Sequence, residues 1–136
     1  MKTREFSIST DHEGMYNITA RLREVIRESG VQSGLAVVYC PHTTAGITIN
    51  ENADPDVRSD MASVFDRLIR EREPYYAHTL EGDDDMPAHA KSTLAGVSLT
   101  IPITAGGPNL GLWQGIYLCE FRNHGGARRI VATVVG

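Results

Sequence analysis

The spacing of hydrophobic and polar positions changes period several times along this chain. From residue 2 to residue 10 they alternate, with Phe6 and Ile8 on one face and Glu5, Ser7 and Ser9 on the other. That alternation predicts a half-buried strand. Ile18, Leu22, Val25 and Ile26 then recur at helical spacing, with Asn17 available as a cap and Gly30 as a stop, which predicts a helix to about Ser29. Gly34 to Cys40 is apolar on both faces and predicts a central strand. Pro41 ends it, HTTAG follows as a turn, and Ile47 and Ile49 mark a third strand reaching Glu51.

The next helix has the clearest start. Asp54 suits the cap, Pro55 the first helical position and Asp56 the positive end of the dipole. Val57, Met61, Val64, Phe65, Leu68 and Ile69 form one stripe, and the pattern runs to about Arg72, before Pro74. Residues 73–85 predict a loop whose length favours a functional role. A short helix over 86–95 follows, with Asp85 as its cap and Gly96 as its end. Val97 to Ile103, Trp113 to Phe121 and Arg128 to Val135 predict three more strands, with a glycine-rich loop over 105–111. The order β-α-β-β-α-α-β-β-β lacks repeated βαβ units, so the class is α+β in a single domain spanning 1–136.

Charge narrows the partners. Seventeen acids against 13 Lys and Arg give a net −4, and phosphate-backbone binding requires clustered cations, so nucleic acid is not an expected partner. The adjacent Arg128 and Arg129 point to opposite faces of a strand and make no patch. No stretch approaches the roughly 20 apolar residues of a membrane helix, and the first residues have no secretory pattern. A cytoplasmic protein with Cys40 and Cys119 as free buried thiols is expected.

Polar residues collect in three places. His42 and Thr43 sit where a buried strand meets a turn. Asp85 and His89, four apart, face one side of a helical turn, and a carboxylate with an imidazole suits Zn or Mn, whereas carboxylates alone suit Mg. On the strand from Trp113, parity puts Gln114, Glu120 and Arg122 on one face, which predicts a partly buried Glu120–Arg122 ion pair. Trp113 can stack on a ligand ring or pack in the core. Glu51 shares the face of Ile47 and Ile49, an unusual place for an acid. A tight turn would separate it from His42 by roughly 17 Å of strand, so one small ligand meets both only if the turn is open or a second chain intervenes.

The phrases PHTTAGITINENADP, EGDDDMPAHAK, LAGVSLTIPIT and LWQGIYLCEFRNHGG together resemble the YjbQ-like family, over about residues 5–135. Its members are sometimes called secondary thiamine-phosphate synthases. The resemblance implies a compact α+β domain with a mixed, barrel-like β-sheet flanked by helices, assembled as a homotrimer. It implies site residues at His42, Thr43, Asn50, Glu51, His89, Lys91, Trp113, Gln114, Gly115 and Glu120. Two positions depart from its pattern. Leu112 stands where a small polar residue is usual, and Gly106 to Asn109 lacks a common Arg that would meet a phosphate.

Three functions follow. As a synthase, Asp83, Asp84 and Asp85 would hold Mg, Lys91 would meet a phosphate of a phosphorylated small-molecule ligand, and Trp113 would stack on its pyrimidine. As a hydrolase, His42, Asp85 and His89 would hold a transition metal such as Zn, with Glu51 or Glu120 as general base and Thr43, Asn50 and Gln114 binding substrate. As a trimeric binding protein, the same pocket would hold a small ligand without turnover.

Overall fold

The computed structural model describes residues 1–136. The elements in order are β1 (Lys2–Thr10), β2 (Gly14–Asn17), α1 (Thr19–Ser29), β3 (Ser33–Tyr39), β4 (Ala45–Glu51), α2 (Pro55–Leu68), α3 (Asp85–Ala95), β5 (Ser98–Thr104), β6 (Gly107–Pro108), β7 (Gln114–Glu120) and β8 (Gly126–Val135). The domain is α+β, as the pattern predicts, and no helix is long and apolar enough to cross a membrane.

The strands form two sheets, one ordered β1-β8-β3-β5-β6 and the other β2-β7-β4. Together they curl as a half-barrel flanked by the helices. Every strand pair is antiparallel, whereas the resemblance implied mixed strand directions. The turn at HTTAG is open and not a tight hairpin. β3 and β4 belong to different sheets, and residues 41–44 carry the chain from one sheet to the other.

Seventeen buried residues fill the space between the sheets. Ala36 and Val38 of β3, Ile101 and Ile103 of β5, and Ile130, Ala132 and Val134 of β8 face Ile47 of β4 and Ile116 and Leu118 of β7 across this core. Leu22, Val25 and Ile26 of α1 join them, so that helix buries its predicted stripe. Asn17 helps start it from one position further out than a usual cap, its Oδ1 accepting from the Thr19 backbone N–H and hydroxyl.

The two sheets differ in their outer faces. That of β2-β7-β4 is covered by α3, through Ala88 against Cys119 and Phe121, with Phe65 of α2 at 5.2 Å from Phe121. Gly46 of β4 permits this approach, because a Cβ there would strike the Gly96 carbonyl and Ala95. No helix covers the outer face of the five-stranded sheet, where Leu35 and Tyr39 are both 45% exposed.

α2 starts as predicted, with the Asp54 carboxylate accepting from the Asp56 N–H, but it ends at Leu68, short of Arg72. None of its residues is fully buried, and Val64 and Leu68 of its apolar stripe stand exposed. α3 begins one residue earlier than predicted. Asp84 occupies the cap position without a side-chain capping bond, and Asp85 lies buried in the first turn. Its carboxylate is spent on a different set of partners.

Candidate metal centre and groove

Asp85 is the hub of a four-residue cluster. Its Oδ2 meets Nε2 of His78 at 2.5 Å and Nε2 of His89 at 3.2 Å, and its Oδ1 accepts from Arg122 Nη1 at 2.7 Å. The i,i+4 spacing on α3 places His89 over Asp85, as the sequence suggests. His78 comes from the loop between α2 and α3, and its ring lies edge-on to His89 at 5.3 Å. One ligand atom from each of His78, Asp85 and His89 lies within 4.8 Å of the others.

Arg122 holds this cluster in place. Besides Asp85 it donates through Nε to Asp84 Oδ2 at 2.9 Å and through Nη2 to the Glu81 carbonyl. Burial alone would push the Asp85 carboxyl up, but the His78 hydrogen bond and the charge of Arg122 outweigh it and hold the group below the usual range. Asp84 behaves alike, with burial opposed by Arg122 and the Asn123 N–H. Arg122 is thus an outer partner that fixes the carboxylate and keeps it ionised. Asp83, the third acid of the run, pairs with Arg72 at 3.0 Å on the surface.

His42 does not join this cluster. Pro41 ends β3, so the Arg129 N–H of neighbouring β8 has no strand partner beyond Tyr39, and His42 Nε2 accepts it at 2.8 Å. Burial first, then the charge of Arg128, keeps the ring neutral more firmly than usual. With Nε2 accepting, the proton sits on Nδ1. The His42, Asp85, His89 set inferred from sequence is therefore not brought together, and the three groups whose positions could hold an ion are His78, Asp85 and His89. His42 and His89 nonetheless line one open groove of about 620 Å³, with Tyr39, Thr43, Ser92 and Thr93 among its walls.

Glu120 is the second correction. The predicted pairing with Arg122 is replaced by a bidentate pair with Arg128, Nε to Oε1 at 2.7 Å and Nη2 to Oε2 at 2.5 Å. Thr10 donates to Oε1 and the Arg122 backbone N–H to Oε2. The Glu120 side chain is 0% exposed, and all its acceptor positions face donors, so it has no free site at which to act as a base. Burial would raise its pKa; the Arg128 and Thr10 bonds win and lower it. A Cβ at Gly125 would collide with this carboxylate, which explains a glycine there. Of the Arg128-Arg129 pair, the first is buried and the second exposed, as strand parity requires.

Lys91 points away from the groove. Its side chain is 5% exposed, and Nζ bonds Asp66 of α2 at 2.6 Å and Glu13 at 3.3 Å. The remaining anticipated residues gather at the far end of β4. The β4–β7 register sets Asn50 opposite Gly115 and Glu51 opposite Gln114. Glu51 Oε2 accepts from the Ala53 and Asp54 N–H groups, Asn50 Oδ1 from the Glu51 N–H, and Gln114 Oε1 from the Gly111 N–H. The Trp113 carbonyl accepts from the Asn52 N–H, while the residue is 59% exposed. The seven residues of β4 span about 20 Å, so this group and the groove are separate places on one chain.

A family model described as UPF0047 protein YjbQ-like matches residues 4–136. The chain belongs to this family. The YjbQ-like UPF0047 relatives include the UPF0047 protein YjbQ of Escherichia coli O157:H7, 44% identical over 99% of this chain and 91% of its own. A Synechocystis UPF0047 protein is 42% identical over 95% and 88%. Among solved structures, a YjbQ/UPF0047 protein from Clostridium acetobutylicum superposes with a TM-score of 0.90 at 42% identity, over 97% of this chain and 99% of that one. A hypothetical protein from Aeropyrum pernix K1 gives 0.91 at 31%, over 100% and 99%.

His78 is the residue that sequence reasoning missed. It lies seven positions before Asp85 in a loop, where no helical or strand period relates the two. The one signal was the length of that loop.

Proposed function

We propose that this protein is a metal-dependent hydrolase whose ion is held by His78, Asp85 and His89 and whose substrate lies in the groove beside His42. The observation that carries this reading is the convergence of two imidazoles and a carboxylate within 4.8 Å, one of which, His89, also lines that groove. Two nitrogens and one oxygen favour Zn or a similar transition metal over Mg, which prefers all-oxygen sites. Three protein ligands leave coordination open for water, the arrangement of catalytic rather than structural zinc. An ion held there would lower the pKa of water enough to supply a nucleophile near neutral pH. Glu51 and Glu120 are both engaged elsewhere and offer no general base, so activation of water would fall to an ion held by His78, Asp85 and His89. Neutral His42, with Nδ1–H, serves as a hydrogen-bond donor to the substrate oxygen that gains charge as water adds.

Thiamine-phosphate synthesis has less support. The cation proposed for its phosphate, Lys91, is paired with Asp66 and Glu13. Asp83 and Asp84 are paired with Arg72 and Arg122, and the groove walls contain no Lys or Arg. The working assembly is the homotrimer implied by the resemblance.

The test is metal analysis of the purified protein with an ester, amide and phosphoester panel. About one zinc per chain is expected, lost in His78→Ala and His89→Ala together with any hydrolysis. A wild type that binds no transition metal, or a double variant that binds as well as wild type, refutes the reading. Metal and ligand binding without turnover on any substrate moves the protein to the binding class.

A further inference from the structure

Asp85 fixes where the protons sit on the two imidazoles beside it. Despite its burial, the His78 bond and the charge of Arg122 keep its carboxylate ionised, and an ionised carboxylate only accepts hydrogen bonds. Its Oδ2 meets Nε2 of His78 and Nε2 of His89, so each ring carries its proton on Nε2. In a neutral imidazole the other nitrogen, Nδ1, then holds a lone pair and accepts. His42 has the reverse arrangement. Its Nε2 accepts the Arg129 N–H, so its Nδ1 donates.

An ion in the cluster reverses two of these assignments. The ring atoms that converge on Asp85 are the Nε2 atoms, so an ion held there takes the Nε2 lone pair of each ring. The proton of each neutral ring then sits on Nδ1. Neither ring changes charge; each exchanges an acceptor for a donor at Nδ1. A histidine ligand ordinarily passes this outer proton to a carboxylate, a carbonyl or water. For His89 the chain supplies no such acceptor. Its Nε2 is the one ring nitrogen with a partner, and the ring lines the groove, whose walls contain no Asp or Glu. The nearby hydroxyls of Ser92 and Thr93 donate to the Ala45 and His89 carbonyls. His42 Nδ1, in the same groove, has no partner in the chain either.

We infer that the metal-loaded groove selects a ligand that offers oxygen acceptors, of a carboxylate or a carbonyl, to the Nδ1–H groups of His42 and His89, and that the His89 donor exists only while an ion holds its Nε2. The inference rests on the proposed function for the ion and names the ligand chemistry of that site. Without the ion the groove presents one imidazole donor and one imidazole acceptor, which suits a group that both gives and takes a hydrogen bond. With the ion it presents two donors. Ion occupancy thereby sets what the groove recognises.

Nitrogen NMR of wild type carrying isotope-labelled histidine reads the tautomer of each ring directly. At about pH 8 without metal, His78 and His89 are expected as Nε2–H tautomers and His42 as Nδ1–H. Zn²⁺ added at about one equivalent is expected to convert His78 and His89 to Nδ1–H and to leave His42 unchanged. Acetate, the probe of the acceptor class, is then expected to shift the Nδ1 resonances of both His42 and His89. Zinc-loaded His42→Ala is expected to bind acetate at least about fivefold more weakly, the loss of one hydrogen bond. His42→Asn, whose amide accepts the Arg129 N–H and still donates, is expected to recover most of that loss. A His89 ring that is Nδ1–H before metal, or still Nε2–H with zinc bound, overturns the inference and leaves the hydrolase reading standing. So does acetate that fails to bind, or that binds zinc-loaded wild type and His42→Ala alike, as an oxygen held by the ion alone would. Protein that binds no Zn²⁺ refutes the hydrolase reading and this inference with it.

Discussion

Replacing Glu120 by Gln tests whether this acid is a structural anchor or a catalytic base. The substitution keeps the shape and removes the charge. In the folded protein it leaves the Arg128 guanidinium, held between Glu120 and Thr44, without its counterion, and turns an amide NH₂ toward one of the donors now served by a carboxylate oxygen. Breaking a buried pair by removing one partner costs about 3–5 kcal/mol. Unfolding entropy of about 2.1 cal/mol/K per residue converts each kcal/mol to about 3.5 °C for a domain of this length. Thermal unfolding by circular dichroism should therefore show a fall of about 10–17 °C. The double variant Glu120→Leu/Arg128→Leu removes both charges, so it should be less destabilised than the sum of its singles by at least about 1.5 kcal/mol. A Glu120→Gln protein that melts within about 2 °C of wild type yet loses hydrolysis or ligand binding would refute the structural assignment.

Three further outcomes are expected. Cys119 is pushed up to about 12 by burial, and burial raises Cys40 as well; native protein at pH 8 should be inert to a thiol reagent, while denatured protein reacts with two equivalents. His42→Ala leaves only one exposed N–H, that of Arg129, without its partner, so the melting temperature should fall by about 2–5 °C, and a fall above about 10 °C would show a larger structural role. The folded pKa of His42 lies below its ordinary 6.5. Its contribution is present above that value and lost as pH falls through the folded pKa, so the stability gap between wild type and His42→Ala should shrink on acidification from pH 7. The lowered pKa values of Asp84, Asp85 and Glu120 act with the same sign in a lower window; denaturant midpoints should drop again below about pH 4, and a midpoint that rises there refutes the assignment.

The sequence by itself determined the elements with strong local signals. The α1 stripe, the Asp54-Pro55 start of α2, the pairing of Asp85 with His89 by helical spacing and the split of Arg128 from Arg129 by strand parity all depend on a few consecutive residues. Each follows from a period that neighbours alone define. Resemblance added the family and the residues of its motifs. It did not give their grouping, because a motif records which residues recur and not which strand ends they occupy.

Tertiary structure decided what depends on contacts between distant segments. The short β2 and β6 have no period of their own and exist because β7 and β5 offer them edges. His78 meets Asp85 in a cluster that Arg122, 37 residues further on, also joins through the acid. Glu120 chose Arg128 over Arg122 because the strand pairing brings β8 alongside β1, and Thr10 of β1 shares the carboxylate. The apolar stripe of α2 was legible, but its weak burial was not, since burial is a property of what packs against a helix. Side-chain period is local, whereas pairing of charges and coverage of faces depend on how the sheets curl around a common core.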